Sequence, residues 1–183
     1  MREALIEAAA AEFFETGYHT ASTNRIAARA GLSSGVFYNY FRDKVEVLLA
    51  VYEHWVDEEW ALIRADIADG SRSFEQRIEA LVPKLLQHHA KWHRLRHALL
   101  VLTPTEPRVA ASRTTSRRRQ VAEVIRLLGR RPTRRLRVQV AVKLLAFEAV
   151  ADSLVTGEAE RLGLAPDDLA AHLAELLLPL IRP

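Results

Sequence analysis

The sequence contains no cysteine, and it has only 7 glycines and 7 prolines among its 183 residues. Without cysteine the chain cannot form a disulfide scaffold, a thiol nucleophile or a cysteine-ligated zinc site. No apolar run reaches the roughly 18 residues that a membrane span requires, and no signal peptide is apparent. We therefore expect a cytoplasmic protein without a membrane partner.

The residues that are present favour a helical protein with a substantial core. Apolar residues make up 49% of the chain and charged residues 27%, which is typical of a globular protein and not of a disordered segment. Alanine, leucine, arginine and glutamate are abundant, and all four are good helix formers. Long helices are therefore expected rather than a many-stranded sheet.

The net charge of +3 is distributed unevenly along the chain. Residues 1–50 contain 5 basic and 6 acidic residues, whereas residues 108–137 contain 11 arginines and a single glutamate. Charge alone would place a nucleic-acid contact in residues 108–137. The motif described below places it in the N-terminal residues instead.

Helical periodicity and capping residues predict nine helices. Gly17 is expected to end the first helix, and Ser22 is a suitable N-cap for the second. Asp43 and Glu46 have the spacing of a capping box at the start of the fourth. The predicted helices span residues 2–16, 23–30, 34–40, 44–69, 74–91, 92–103, 106–128, 133–157 and 167–181.

The second and third predicted helices, joined by the turn Gly31-Leu32-Ser33, form a helix-turn-helix. A helix fits the major groove of DNA, so the third is the expected recognition helix. The apolar positions expected to face inward are Ile26, Ala27, Ala30, Leu32 and Phe37. The predicted fold class is all-α, with an N-terminal three-helix DNA-binding unit (residues 1–46) joined to a larger C-terminal helical bundle (residues 47–183).

The outward side of the expected recognition helix carries small or hydrogen-bonding groups, contributed by Ser34, Gly35, Val36, Tyr38, Asn39 and Tyr40. Ser22 and Thr23 can offer hydroxyl and backbone N–H groups to a phosphate, and Lys44 is a further phosphate partner. The alternative is that Tyr38 and Tyr40 are ordinary surface aromatics.

The run from Ala21 to Lys44, ASTNRIAARAGLSSGVFYNYFRDK, resembles the DNA-binding segment of the TetR family of transcriptional regulators. The preceding residues from Ala9 to Tyr18 are similar to that family's A-x-x-L-F-x-x-x-G-[FY] pattern. The resemblance covers about residues 2–52. Two positions depart from it, because the family often has Lys or Arg where this chain has Ser34, and Thr or Ser where it has Val36.

The resemblance implies a homodimer that binds a palindromic operator in double-stranded DNA. It also implies a repressor that a small, largely apolar effector, bound in the C-terminal bundle, releases from DNA. Family positions that contact phosphates match Thr23, Tyr38, Tyr40 and Lys44, and positions that can face bases match Asn24, Arg25, Ser34, Gly35, Val36 and Asn39. Ser22 and Ser33, at the starts of the two helices, complete the predicted DNA interface.

The resemblance also places an effector pocket among the helices between about residues 55 and 130, and a dimer interface on the last two long helices. Candidate pocket residues are Trp55, Trp60, Phe74, Leu85, Trp92, Leu99, Thr103, Arg117, Arg118, Val121 and Phe147. Candidate dimer residues are Leu144, Phe147, Leu154, Leu169, Leu173, Leu176, Leu177 and Leu180. In both cases the alternative is ordinary packing inside one chain.

His89, His93 and His97 recur every four residues, and His88 lies beside them. Histidines at this spacing on a continuous helix can bind a metal ion. A helix boundary is expected nearby, however, and no carboxylate joins them at matching spacing. We therefore predict a polar helix edge, with no metal site and no cofactor.

The arginine cluster allows a sharper hypothesis. The apolar stripe of the predicted helix 106–128, extended backward, runs through Arg117 and Arg118, so at least one of them can point inward. A buried arginine needs an anionic partner, and a carboxylate or phosphate on an amphipathic effector would serve. The alternative is a solvated basic face.

The sequence also bears on two other classes of function. An enzyme is not expected, because the sequence lacks a nucleophile–base–orienter set, a glycine-rich phosphate loop and a credible metal triad, and no catalytic residue is predicted. The alternative to an effector-controlled regulator is a helix-turn-helix protein with an architectural or partner-mediated role. The absence of a closed, mostly apolar cavity in the bundle would favour that alternative.

Overall fold

A computed structural model describes residues 1–68 and 70–178, and within these residues it contains ten helices and no strand. The all-α prediction is therefore confirmed. The helices are α1 (Arg2–Thr16), α2 (Thr23–Arg29), α3 (Ser34–Tyr40), α4 (Lys44–Ala68), α5 (Phe74–Lys91), α6 (His93–Leu102), α7 (Pro107–Leu127), α8 (Arg134–Val155), α9 (Glu158–Arg161) and α10 (Pro166–Leu177).

The helix boundaries follow the local capping signals closely. The predicted helices 2–16, 34–40 and 74–91 coincide with α1, α3 and α5. The single turn of α9, which follows Gly157, was not predicted because four residues are too few to show periodicity. The predicted end of the last helix, at residues 179–181, lies outside the described residues. None of the helices in the described ranges is long and apolar enough to cross a membrane.

The chain divides into two compact units, of which the first comprises residues 1–58 and 92–112. It holds α1 to α3, the start of α4, α6 and the start of α7. Within it α1 packs against α2 and α6, and α2 packs against α3. Phe13, Leu48 and Leu99 are among its fully buried side chains. The domain boundary that the sequence places after residue 46 stays a prediction.

The second unit comprises residues 59–91 and the chain from residue 113 onward. In this unit α5, α8 and α10 pack together around a core that includes Val82, Phe147 and Leu173. A separate small cluster, centred on Ile125 and Val140, joins α7 to α8. This α7–α8 hairpin therefore has apolar packing of its own.

Candidate nucleic-acid interface

The buried face of the helix-turn-helix fixes the position of α3. Ile26 and Ala27 of α2 and Phe37 of α3 are completely buried, as the sequence predicts. Burying a side chain such as Phe37 stabilises the fold by roughly 1.5–3 kcal/mol. Ala30 and Leu32, also predicted to face inward, are only half-buried. The packing that holds α3 in place therefore comes mainly from Phe37 and from Ile26 and Ala27 of α2.

The turn between α2 and α3 is set by a glycine in the left-handed region. Gly31 has a φ of 70°, which a side chain rarely adopts. The Leu32 N–H donates to the Ala27 carbonyl at 2.9 Å, and the Gly31 N–H donates to the Ala28 carbonyl at 3.0 Å. These two bonds form a Schellman motif, which satisfies the last carbonyls of α2 and turns the chain tightly into α3.

The residues predicted to face DNA line the outer side of α2 and α3. The hydroxyls of Thr23 and Tyr38 lie 3.1 Å apart, so predicted phosphate contacts from both helices lie side by side. The Ser22 hydroxyl accepts a hydrogen bond from the Arg25 N–H at 3.2 Å, which confirms the predicted N-cap. The exposed members of the predicted set are Asn24, Arg25, Ser33, Ser34, Gly35, Tyr38 and Asn39, and the half-buried members are Ser22, Thr23, Val36, Tyr40 and Lys44.

Gly35 has no internal structural reason to be glycine. It lies in α3 without a positive φ, and a Cβ atom built on it would meet only the Ser33 hydroxyl, at 3.9 Å. A helical glycine is less stable than alanine by roughly 0.5–1 kcal/mol. A bare backbone on the exposed side of α3 suits a position where another molecule approaches closely.

Arg25, predicted to face bases, is engaged by a buried carboxylate. Its Nε lies 2.7 Å from Glu12 Oε1, and Glu12 is only 2% exposed. The Thr16 hydroxyl donates to the Glu12 backbone carbonyl at 3.0 Å and lies 3.4 Å from the carboxylate, and Arg29 is paired with Glu15. Two arginines of α2 are therefore tied to α1. This role of Glu12 was not predicted, although a charged residue next to the apolar position 13 is a signal for it.

Lys44 closes the turn between α1 and α2. Its Nζ donates to the carbonyls of Tyr18 at 2.7 Å and Ala21 at 2.8 Å, and it lies 4.4 Å from the centre of the Tyr18 ring. A third carbonyl, of His19, is 3.4 Å away. Burial lowers the pKa of Lys44. With its donors occupied in this way the ammonium positions the start of α2, and its predicted phosphate contact stays a prediction.

The start of α4 is held by a network of charges. Asp43 Oδ1 accepts from the Glu46 N–H at 2.9 Å, whereas Glu46 accepts from the Arg42 N–H at 2.7 Å, one residue before the position that a capping box uses. Arg108 donates to Asp43 Oδ2 at 2.9 Å. Although burial acts in the opposite direction, the bonds from Glu46 and Arg108 hold the pKa of Asp43 below its ordinary value. The start of α7 is thereby tied to the end of the helix-turn-helix.

A second tie joins α6 to the end of α1. Arg94 donates to the carbonyls of Phe14 and Glu15, each at 2.8 Å. These carbonyls belong to the last turn of α1, where helical partners are lacking. Neither Arg94 nor Arg108 was among the predicted site residues, because their partners lie far away in sequence.

The candidate pocket residues are divided between the two units. In the first unit Trp55, Trp92 and Leu99 are buried and Thr103 is half-buried, and Trp92 donates to Glu58 at 3.1 Å. In the second unit Phe74, Leu85 and Phe147 belong to one apolar cluster. Trp60 is also buried there, and its indole N–H has no hydrogen-bond partner among the described residues.

The remaining pocket candidates lie on the α7–α8 hairpin. Arg117 is half-buried and paired with Glu148 of α8, whereas Arg118 is exposed. Together with Val121 they line an open groove between α7 and α8. The hypothesis of an inward-facing arginine thus applies to Arg117, whose charge has a protein partner.

The candidate dimer residues differ in exposure. Phe147 and Leu173 are buried in the core of the second unit, so for these two residues the alternative of ordinary packing inside one chain applies. Leu176 is exposed, Leu144, Leu154, Leu169 and Leu177 are half-buried, and Leu180 lies outside the described residues. The most exposed apolar stripe on α8 is a different set, Val138, Val142 and Leu145.

The histidines do not share one helix, because α5 ends at Lys91 and α6 begins at His93. His88 and His89 are buried on α5, and His89 Nε2 lies 2.9 Å from Asp152 Oδ1. Within the described ranges no three acidic or histidine side chains are grouped as metal ligands would be.

Residues 5–51 match the family model for bacterial regulatory proteins of the tetR family. The HTH-type transcriptional activator FasR of Mycolicibacterium smegmatis is 34% identical over 113 residues, which cover 60% of this chain and 50% of FasR. The HTH-type transcriptional regulator BetI of Yersinia pestis is 46% identical over 55 residues, which cover 30% of this chain and 28% of BetI. The chain therefore spans half or less of the length of these curated relatives.

A similar structure has been solved for the fatty acid degradation regulator FadR from Bacillus halodurans. The TM-score is 0.70 at 21% identity, and the match covers 97% of this chain and 94% of FadR. This likeness shows that the two proteins share a fold. The relatives are regulators and not enzymes, in agreement with the sequence analysis.

Proposed function

We infer that this chain, which belongs to the TetR family of helix-turn-helix transcriptional regulators, binds double-stranded DNA sequence-specifically through α3. The observation that carries this proposal is the outer side of α2 and α3. There hydroxyl and amide side chains and a glycine lie on the side opposite the buried residues that hold α3 in place. A single helix presented in this way can enter the major groove and contact base edges.

The exposed groups divide naturally between the backbone and the bases. The adjacent hydroxyls of Thr23 and Tyr38 suit a phosphate oxygen, which fixes the register of the protein on DNA. Asn39 can bind an adenine edge with both atoms of its amide, and Val36 can contact a thymine methyl group. Specific recognition would therefore rest on hydrogen bonds and shape at α3.

A homodimer would place two copies of α3 on a palindromic operator. On α8 the side chains of Val142 and Leu145 are each more than half exposed and lie three residues apart, on one side of the helix. Exposed apolar side chains of this kind, together with the exposed Leu176 of α10, suit pairing with a second copy. Successive half-sites about 34–36 Å apart would then define the operator.

A small, largely apolar effector is the proposed signal, and repression in a cytoplasmic setting is the proposed outcome. The open groove between α7 and α8 supports this proposal, because its lining includes Val121, Ile125 and Ala141, and aliphatic surface of this kind suits an apolar ligand. Arg94 joins α6 to the end of α1, and Arg108 joins the start of α7 to Asp43 at the start of α4, so both contacts flank the helix-turn-helix. FasR is named an activator, so a promoter–reporter assay with and without the protein is needed to distinguish repression from activation.

Selection of bound sequences from random duplex DNA tests the DNA-binding proposal and yields the operator. Tyr38→Ala should then weaken binding by about tenfold on all duplexes alike, because it removes a phosphate contact and not a base contact. Phe14→Ala is the matched control, since Phe14 is 52% exposed and Tyr38 is 55% exposed on the same unit. No enrichment of any sequence, or equal affinities of the two variants, would contradict the proposal.

A further inference from the structure

The open groove between α7 and α8 has a strongly cationic rim. Its volume is about 840 Å³. The five charged side chains that line it are all arginines, contributed by Arg117, Arg118, Arg126, Arg130 and Arg137. No carboxylate in the described part of the chain lines the groove. This concentration of guanidinium groups at one apolar surface is the feature that DNA binding by α3 leaves unexplained.

Two of these arginines have carboxylate partners in the protein. Arg117 is paired with Glu148, and Arg126 Nε lies 2.9 Å from Glu123 Oε2. Arg118 and Arg137 are exposed, and neither has an ion-pair partner among the described residues. The groove therefore keeps guanidinium groups that can bind an external anion with two parallel hydrogen bonds.

The floor between these charges is apolar. Val121 and Ile125 of α7 and Val138 and Ala141 of α8 line it. Ile125 also belongs to the apolar cluster that packs α7 against α8, so this floor is part of the packed hairpin. Aliphatic surface of this kind suits a hydrocarbon body, whose removal from water is favourable by about 25 cal/mol per Å².

We propose that the α7–α8 groove binds a small anionic amphiphile, with its carboxylate or phosphate on Arg118 and Arg137 and its aliphatic body on the apolar floor. The volume lies in the range of about 300–1,000 Å³ that is usual for small-molecule sites. The charge complementarity selects an anion over a neutral or cationic compound. This site deepens the proposed function by naming an effector class. Binding of the ligand does not depend on that function, whereas its effect on DNA binding rests on it.

Isothermal titration calorimetry of the full chain tests the site without DNA. The ligands are decanoate, decyl phosphate and decyltrimethylammonium, each below its micellar concentration, so that the aliphatic body is constant and the head group varies. We expect both anions to bind at least about tenfold more tightly than the ammonium compound. The tighter of the two anions identifies the preferred head group. Equal affinities for anion and cation would overturn the proposal.

Two double variants separate the groove from the general charge of the hairpin. Arg118→Ala with Arg137→Ala should weaken decanoate binding by at least about tenfold. Arg131→Ala with Arg135→Ala removes the same charge from exposed residues that do not line the groove, and should leave binding within about twofold of the unmodified chain. Equal losses in the two double variants would refute the site.

A third variant and two further measurements distinguish ligand binding in the groove from dimer formation and from DNA binding. Ala122→Trp, on the exposed groove wall, should block binding by filling the groove while leaving the α-helical circular dichroism unchanged. If the arginine pair affects sedimentation as a dimer but not decanoate binding, a second copy occupies the groove and the proposal fails. Operator binding by the ligand-free chain is measured separately, so a failure of DNA binding would count against the proposed function and not against the groove.

Discussion

Gly35→Ala should make the protein more stable and a poorer DNA binder at the same time. The added methyl group has open space in the free protein, where the nearest atom to the new Cβ is the Ser33 hydroxyl at 3.9 Å. Replacing a helical glycine by alanine stabilises by roughly 0.5–1 kcal/mol. For a chain of this length that corresponds to a rise in Tm of about 1–4 °C.

The effect on DNA has the opposite sign because, in the proposed complex, α3 enters the major groove of DNA and the space outside Gly35 is taken up. A methyl group forced into a close interface destabilises it by about 1–3 kcal/mol, and each 1.4 kcal/mol is a tenfold loss of affinity. We therefore expect operator binding to weaken by about tenfold or more. Thermal unfolding and fluorescence anisotropy with the selected operator measure the two effects on the same sample.

Gly70→Ala is the matched control, since its Cβ would also meet open space and Gly70 has no positive φ. It should leave DNA affinity unchanged. If Gly35→Ala binds the operator as tightly as the unmodified chain, the glycine does not lie at a close contact and the assignment of the α3 surface is wrong. Weaker binding accompanied by a lower Tm would equally refute the reasoning, because the loss would then come from the fold.

Two further predictions concern the fold and the assembly. Glu12→Ala should lower the free energy of unfolding by about 1–3 kcal/mol in a urea titration, because it removes the buried carboxylate that holds Arg25. Glu15→Ala, at an exposed carboxylate of the same helix, should lower it clearly less, and equal losses would contradict the role of Glu12. Leu145→Asp should shift sedimentation equilibrium toward monomer, whereas Leu164→Asp, at a similarly exposed leucine outside α8, should not, and a dimer unchanged by Leu145→Asp would place the interface elsewhere.

The helices were predictable because their ends are determined by neighbouring residues. Ser22 caps α2 through an N–H three residues away, and Gly31 ends it with two bonds that span four and six residues. Such signals are complete within a short window of sequence. The single turn of α9 has no such window, since four residues show no helical period. Local chemistry thus accounts for most of the fold and for the exposed surface of α3.

The partners of the charged side chains could not be predicted in the same way. Arg25 has the register of a base contact, yet it is held by Glu12, 13 positions earlier in the chain, and Lys44 is held by carbonyls more than 20 positions away. These contacts depend on how α1 crosses α2 and α4, which no local pattern specifies. Helical register therefore predicted which surface of α2 and α3 is exposed. It did not predict which of the cations on that surface already have partners inside the protein.

The structure changes what the charge distribution means for DNA binding. All five basic residues of residues 1–50 have partners inside their own unit: Arg2 lies over the Phe41 ring, Arg25 and Arg29 pair with glutamates of α1, Arg42 pairs with Glu46, and Lys44 binds carbonyls. Affinity for DNA that comes from releasing counterions scales with the number of phosphates that such cations neutralise. A unit whose cations are already engaged gains less from that source, so the proposed operator contact relies on the hydroxyl, amide and glycine surface of α3. Arginines without ion-pair partners in the described residues occur instead on the α7–α8 hairpin, where the groove gives them an apolar floor and a different kind of anion to bind.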